Sequence, residues 1–341
     1  MKRLSVITTG GTIAEIRKDG QVERHLTAAE LLDRSQINIP DVFCHDLYAL
    51  NSSDMQGGHL ISLAQAVILE LQNEDRLGIV VTTGTNTLEE VAIFLHTLST
   101  AVGGFAIPVV ITGAMRSAST YRCDGPNNLT NALNAASNPA LAGVTVVFGG
   151  RVHAGWNVVK SRPDRLNAFS NLSSRWPSRS LQSLARDEED NKSQPTKAFG
   201  PPPVMANIAS VSNNHGLSLD ALLRAMDQPL ATVPIVPTYL GVNSQAFPES
   251  LSEASDALVI AALGDGQLPE QLLRDIDEVR RRLPVVVALQ LQVSKDAWTS
   301  RLAHLGGVRV QTAPMTIVRA PARLVRIVTL VEFALKWHAR P

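Results

Sequence analysis

The chain has 341 residues and a mass of 36.7 kDa, which at roughly 150 residues per domain is room for two domains, and its 45% hydrophobic and 18% charged residues exclude a disordered chain. Thirty-one Lys+Arg balance 31 Asp+Glu. No basic surplus exists to neutralise phosphates, so neither nucleic acid nor a membrane is expected as a partner.

In chain order, Met1-Lys2-Arg3 leads straight into Leu4 to Thr8, read as the first strand, without the apolar stretch and cleavage site of a signal peptide. Leu60 to Leu71 carries apolar residues at helical spacing, Leu77 to Val81 is a short continuous run suited to a strand buried on both faces, and Leu88 to Leu98 reads as helix. Ile107 to Ile111 and Val144 to Phe148 are further strands, separated by a helix over Asn127 to Ala136 with Pro126 at its start. Strand and helix in alternation predict a three-layer α/β N-terminal domain on a mostly parallel sheet, over residues 1–185. The charged and Pro-rich stretch from Arg186 to Pro203 reads as a linker. The alternation then resumes with strands around Ile235, Ala257 to Ala262 and Val285 to Leu289, a helix over Leu268 to Leu283 and a terminal helix over Ala320 to Ala339. Residues 204–341 are therefore expected to form a second, smaller α/β domain.

Ligands of open parallel sheets collect at the carboxyl ends of the strands. Three of the loops there are rich in Thr and Gly: Thr8-Thr9-Gly10-Gly11-Thr12-Ile13-Ala14, Thr82-Thr83-Gly84-Thr85-Asn86-Thr87 and Thr112-Gly113-Ala114-Met115-Arg116. Glycine admits close backbone approach, and a hydroxyl beside it can attack a carbonyl once a base removes its proton. Phosphate cradling or plain turn chemistry would use the same residues. The chain lacks Gly-x-Gly-x-x-Gly after its first strand, a P-loop and a Gly-x-Ser-x-Gly elbow, which argues against nucleotide cofactors and serine-hydrolase chemistry. Its eight histidines form no ligand spacing, so no metal and no cofactor are expected, and His59 and His153 are read as packed or surface residues. Cys44 and Cys123 form no Cys-x-x-Cys pair; too few for a disulfide framework, they fit a reducing, cytoplasmic setting.

Taken together, Thr9-Gly10-Gly11-Thr12-Ile13-Ala14, Ser52-Ser53-Asp54-Met55, Gly84-Thr85-Asn86-Thr87-Leu88-Glu89-Glu90, Gly113-Ala114-Met115-Arg116, Asp124-Gly125-Pro126-Asn127-Asn128-Leu129 and Val158-Val159-Lys160 resemble, in order, the bacterial-type L-asparaginase/glutaminase family. The resemblance implies an amidohydrolase that converts a small side-chain amide, L-asparagine or a related amide, to carboxylate and ammonia through a threonine nucleophile. Matched to the family, Thr9 is the nucleophile and Thr85 with Lys160 moves its proton, while Ser52, Ser53, Gly84 and Asn86 bind the substrate's α-carboxylate and α-amino groups. It also implies a homodimer or homotetramer in which a neighbour completes each pocket.

Three departures from the family's pattern stand out. Asn86 occupies the place of an aspartate that meets the substrate ammonium, and an amide cannot supply that charge. The segment Glu15 to His25, in the place of a mobile lid, has no tyrosine. In the C-terminal half, Gly264-Asp265-Gly266-Gln267 resembles a Gly-Asn-Gly-Asn loop, but Leu289-Gln290-Leu291-Gln292 replaces Arg-Ser-Ser-Arg. Amide or ammonia transfer on the same scaffold, and a catalytically inactive binding protein, are the alternatives these departures leave open.

Overall fold

A computed structural model describes residues 2–35, 41–171, 179–180, 217–239, 241–242, 253–262, 268–279, 281–289, 316–318, 326 and 331. The expected linker at 186–203, the Gly264 to Gln267 loop, Gln290 to Gln292 and the expected terminal helix, apart from single residues 326 and 331, lie outside them. The chain divides into two compact units, Met1–Pro229 and Leu230–Pro341.

The first unit is built on a seven-stranded sheet. Its strands are β1 (Arg3–Gly10), β4 (Phe43–Leu50), β5 (Arg76–Thr82), β6 (Pro108–Thr112), β7 (Gly143–Phe148), β8 (Arg151–Ala154) and β11 (Arg179–Ser180), in the order β11-β8-β7-β6-β5-β1-β4. From β4 to β7 all neighbours are parallel, whereas β8 and β11 add on antiparallel. In β1 every residue after Arg3 is buried, and in β6 every residue is. Continuous β-branched runs such as Ile79-Val80-Val81 are therefore stable there only with helices on both faces.

The helices α1 (Ala28–Arg34), α2 (Gly57–Gln72), α3 (Leu88–Ala101) and α4 (Gly125–Ala136) provide that cover. Leu31, Leu129 and Leu133 from α1 and α4 join Leu4, Val6, Val80, Val110 and Val147 in one apolar cluster. Side chains of the opposite parity, such as Ile7, Val81 and Ile111, point to the other face, where α2 and α3 pack on the sheet and on each other. A buried ion pair between Glu70 and Arg76 ties the end of α2 to the start of β5, with the Arg76 guanidinium 4.8 Å from the Phe43 ring centre.

Two small hairpins complete this unit. One pairs β2 (Glu15–Lys18) with β3 (Gln21–His25), and the other pairs β9 (Val158–Lys160) with β10 (Phe169–Asn171). Helix α5 (Leu219–Ala225) docks on α2, where Gln72 donates to Asp220 Oδ1 at 2.6 Å and Gln65 to the Met226 carbonyl at 3.2 Å.

The second unit carries four parallel strands in sequence order: β12 (Ile235–Pro237), β13 (Leu258–Ala262), β14 (Val285–Leu289) and β15 (Thr316–Val318). Helix α6 (Glu270–Val279) places Leu272 and Ile276 against Val236, Leu258, Ile260 and Val287. Both units are thus α/β, the first on a mostly parallel sheet and the second on a parallel one, as the alternation predicts. No helix among the described residues is long and apolar enough to cross a membrane.

Candidate active site

Counted along the chain, the parallel strands lie in the order second-first-third-fourth-fifth, so the direction of winding reverses between β1 and β5. The loops leaving those two strands diverge to opposite faces and open a crevice, the place where doubly wound sheets bind ligands. Thr8, Thr82 and Thr112 stand side by side in register at the carboxyl ends of β1, β5 and β6. The three Thr/Gly loops singled out in the sequence begin there.

Glycine lets these loops touch. Gly10 and Gly11 have φ of +93° and +78°, a left-handed backbone that side chains disfavour. A Cβ on Gly10 would overlap the backbone of Leu50, and one on Gly11 would overlap the backbone of Gly84. A Cβ on Gly84 would lie 2.5 Å from Ser52 Cβ. The chains leaving β1, β4 and β5 are therefore pressed together at Gly11, Ser52 and Gly84.

Lys160 enters from the end of β9. Its Nζ donates to Thr85 Oγ1 at 2.8 Å and to Asn86 Oδ1 at 2.8 Å. Its backbone N–H donates to Glu89 Oε2 at 2.7 Å, from a carboxylate buried in the first turn of α3. Burial pushes the Lys160 ammonium below the usual lysine range, while the Glu89 charge draws it partly back. A lysine so placed is better suited than a solvated one to take a proton from a hydroxyl and return it. The Asn86 N–H donates to Ser52 Oγ at 3.3 Å, and Thr87 Oγ1 donates to the Ser52 carbonyl at 3.2 Å.

Thr85, Asn86, Lys160, Ser52 and Gly84 are thus brought together. Ser53 is exposed, and its N–H donates to Asn51 Oδ1 at 3.4 Å, an Asx-turn contact. Thr9, expected as the nucleophile, is 1% exposed, and its hydroxyl donates to the Thr82 carbonyl at 3.1 Å, stitching β1 to β5. Thr12, three residues on and just past the glycine pair, is half-buried, and its hydroxyl makes no hydrogen bond among the described residues. Sequence reading passed it over, although it is the second hydroxyl of the same Thr-Gly-Gly-Thr segment. Glu89 was likewise missed as a partner of Lys160, its signal being an acidic residue one helical turn past Thr85.

Asp124 serves the scaffold. Its carboxylate accepts from the N–H groups of Met115 and Arg116, each at 2.9 Å, and from Asn128 Nδ2 at 3.1 Å, closing the loop after β6. His59 caps the start of α2 by accepting from the Gln56 N–H and meets Tyr48 edge-on, and buried His153 bonds Asn171 at 2.7 Å, so both are packing residues. Among the described residues no group of three His, Cys, Asp or Glu is placed to hold a metal ion.

The model of the family described as the asparaginase N-terminal domain matches residues 3–180. A probable L-asparaginase of Deinococcus radiodurans is 31% identical over 291 residues, covering 84% of this chain and 79% of that protein. L-asparaginase 1 of Escherichia coli is 26% identical over 321 residues, covering 89% and 86%. Among solved structures, the probable cytoplasmic L-asparaginase of Campylobacter jejuni superposes over the full length of both chains with a TM-score of 0.70 at 21% identity, a likeness of fold.

Proposed function

The chain belongs to the asparaginase family, and on that premise we propose that it is an amidohydrolase releasing ammonia from the side-chain amide of L-asparagine or a related small amide. The observation that carries the reading is the Lys160 Nζ held between Thr85 Oγ1 and Asn86 Oδ1 at the sheet's switch point.

In this reading a threonine hydroxyl of the loop after β1 attacks the amide carbon, and Thr12 supplies it, since the Thr9 hydroxyl is committed to the Thr82 carbonyl. The proton leaves through Thr85 to the Lys160 amine. Collapse of the tetrahedral intermediate breaks the C–N bond, and the leaving nitrogen takes that proton to depart as ammonia. Water, activated by the same Thr85–Lys160 pair, then attacks the threonyl ester, releases the carboxylate and restores the hydroxyl. Ser52 flanks the substrate from the segment after β4 and Gly84 from the loop after β5. Ammonia release assayed on asparagine, glutamine, D-asparagine and succinamate tests the proposal, and no release from any of them would overturn it.

The reading extends to assembly and location. We place the enzyme in a reducing, cytoplasmic setting, supported by two free cysteines, Cys44 and Cys123, and as a homodimer or homotetramer, because a neutral chain offers little self-repulsion. Light scattering of the active protein checks the latter; the 36.7 kDa of a single chain would overturn it.

A further inference from the structure

The hydrogen-bonding capacity left over at the crevice tells what kind of ligand it accepts. Lys160 spends two N–H donors, on Thr85 Oγ1 and Asn86 Oδ1. Asn86 has its carbonyl oxygen turned to the lysine, which leaves both N–H groups of its exposed amide unused among the described residues. Ser52 Oγ accepts from the Asn86 N–H and Thr85 Oγ1 accepts from Lys160, so each hydroxyl proton is still to be donated. Among these described side chains, the strong unused valences of Asn86, Ser52 and Thr85 are therefore donors. The hydroxyls keep a spare lone pair, which is a weak match for a desolvated ammonium.

The nearby carboxylates do not change this account. Glu89 is 6% exposed and turns Oε2 to the backbone N–H of Lys160. Both Asp124 oxygens are occupied by Met115, Arg116 and Asn128. A substrate ammonium placed beside Asn86 would face the two N–H groups of its amide, which is unfavourable. A carboxylate, hydroxyl or keto oxygen there would be met by donors.

We infer that the site prefers the monoamide of a dicarboxylic acid whose carbon next to the carboxylate bears hydrogen, hydroxyl or a keto oxygen over an α-amino amide. The inference rests on the amidohydrolase reading and names its substrate class. A hydrogen bond to a charged group is typically worth a factor of about ten to one hundred, which sets the scale of the preference.

The test compares kcat/KM for succinamate and L-asparagine in wild type and in Asn86→Asp, together with calorimetric binding of the products succinate and L-aspartate to wild type. The expected result is at least a tenfold preference for succinamate, reduced about tenfold or more by Asn86→Asp. Because both substrates use the same lysine, their ratio cancels any change that Asn86→Asp makes in Lys160. Equal or better use of asparagine by wild type would overturn the inference, as would a ratio unmoved by Asn86→Asp. Should neither amide be hydrolysed while succinate still binds tighter than aspartate, the preference stands and the hydrolytic reading falls; no discrimination between the products in that case removes both.

Discussion

Glu89 holds Lys160 by its backbone, accepting the N–H at 2.7 Å while the side chain of that lysine reaches 2.8 Å to Thr85 Oγ1. The start of α3 thus fixes both partners of the proton transfer, Thr85 by the short loop before the helix and Lys160 by the carboxylate in its first turn. This bond also sets the lysine's charge balance, since Glu89 favours the ammonium that burial disfavours. In the proposed reaction the active form is the amine, so kcat/KM should rise with pH through the Lys160 pKa. Glu89→Gln removes the opposing charge, lets the pKa fall further and moves that rising limb to lower pH. Lys160→Met should lose the limb and roughly 10²–10⁴-fold in rate. Initial rates between pH 5 and pH 9 check the shift; an unmoved limb in Glu89→Gln would show a purely structural contact.

The three threonines separate by role. Thr12→Val and Thr85→Val should each reduce ammonia release by two orders of magnitude or more while leaving the fold intact. Thr9→Val should keep turnover within about tenfold of wild type and instead cost stability, about 1 kcal/mol for a buried hydroxyl bonded to the Thr82 carbonyl. Urea denaturation and turnover measured on the same preparations decide between them. Full activity in Thr12→Val with none in Thr9→Val would return the nucleophile to Thr9.

Glycine at the loop contacts is predicted to be irreplaceable for geometric reasons. A side chain on Gly11 needs the left-handed φ of +78° and overlaps the Gly84 backbone, so neither strain can be relieved by a rotamer change. On Gly84 the clash is with Ser52 Cβ, 2.5 Å away and held by its own backbone, with Gly11 Cα at 3.2 Å, but no left-handed φ adds strain there. Gly11→Ala should therefore destabilise the fold by about 1–3 kcal/mol or more, whereas Gly84→Ala should cost less stability and weaken substrate binding as the Ser52 segment is pushed away. Melting temperature and KM distinguish the two; a normal melting temperature for Gly11→Ala would contradict the close approach.

The central strands were legible because burial on both faces demands unbroken apolar runs, as in Ile79-Val80-Val81 and Val109-Val110-Ile111. Strand β4 was not, because it lies at the sheet edge with no fully buried residue, and its Phe43-Cys44-His45-Asp46 carries no strand period. The β2–β3 hairpin did leave a signal. Asp19-Gly20, with φ of +51° and +81°, is the Asp-Gly pair that two-residue hairpins favour, set between exposed charged residues that hide the alternation. At the site, the resemblance to the family paired Thr85 with Lys160, which the structure holds 2.8 Å apart, but how two left-handed glycines turn the chain between Thr9 and Thr12 is something no periodicity reveals. Glu89 was obscured because its partner is a backbone group 71 positions away.

A last prediction concerns stability in acid. His96 lies on α3 with both ring nitrogens buried and without a hydrogen-bond partner among the described residues, and burial pushes its pKa from 6.5 down to about 4. The folded protein therefore keeps this imidazole neutral over a range in which the unfolded chain already binds a proton. Wherever the unfolded state binds more protons, stability rises with pH, so the contribution of His96 is complete above pH 6.5 and is lost progressively as pH falls toward 4. The full loss is about 3 kcal/mol, a large part of the 5–15 kcal/mol typical of a folded domain. His96→Leu keeps a helix-forming, buried side chain and removes the titration. Its urea midpoint should change less between pH 7.5 and pH 4.5 than that of wild type, and equal changes in the two proteins would show that another group carries the acid sensitivity.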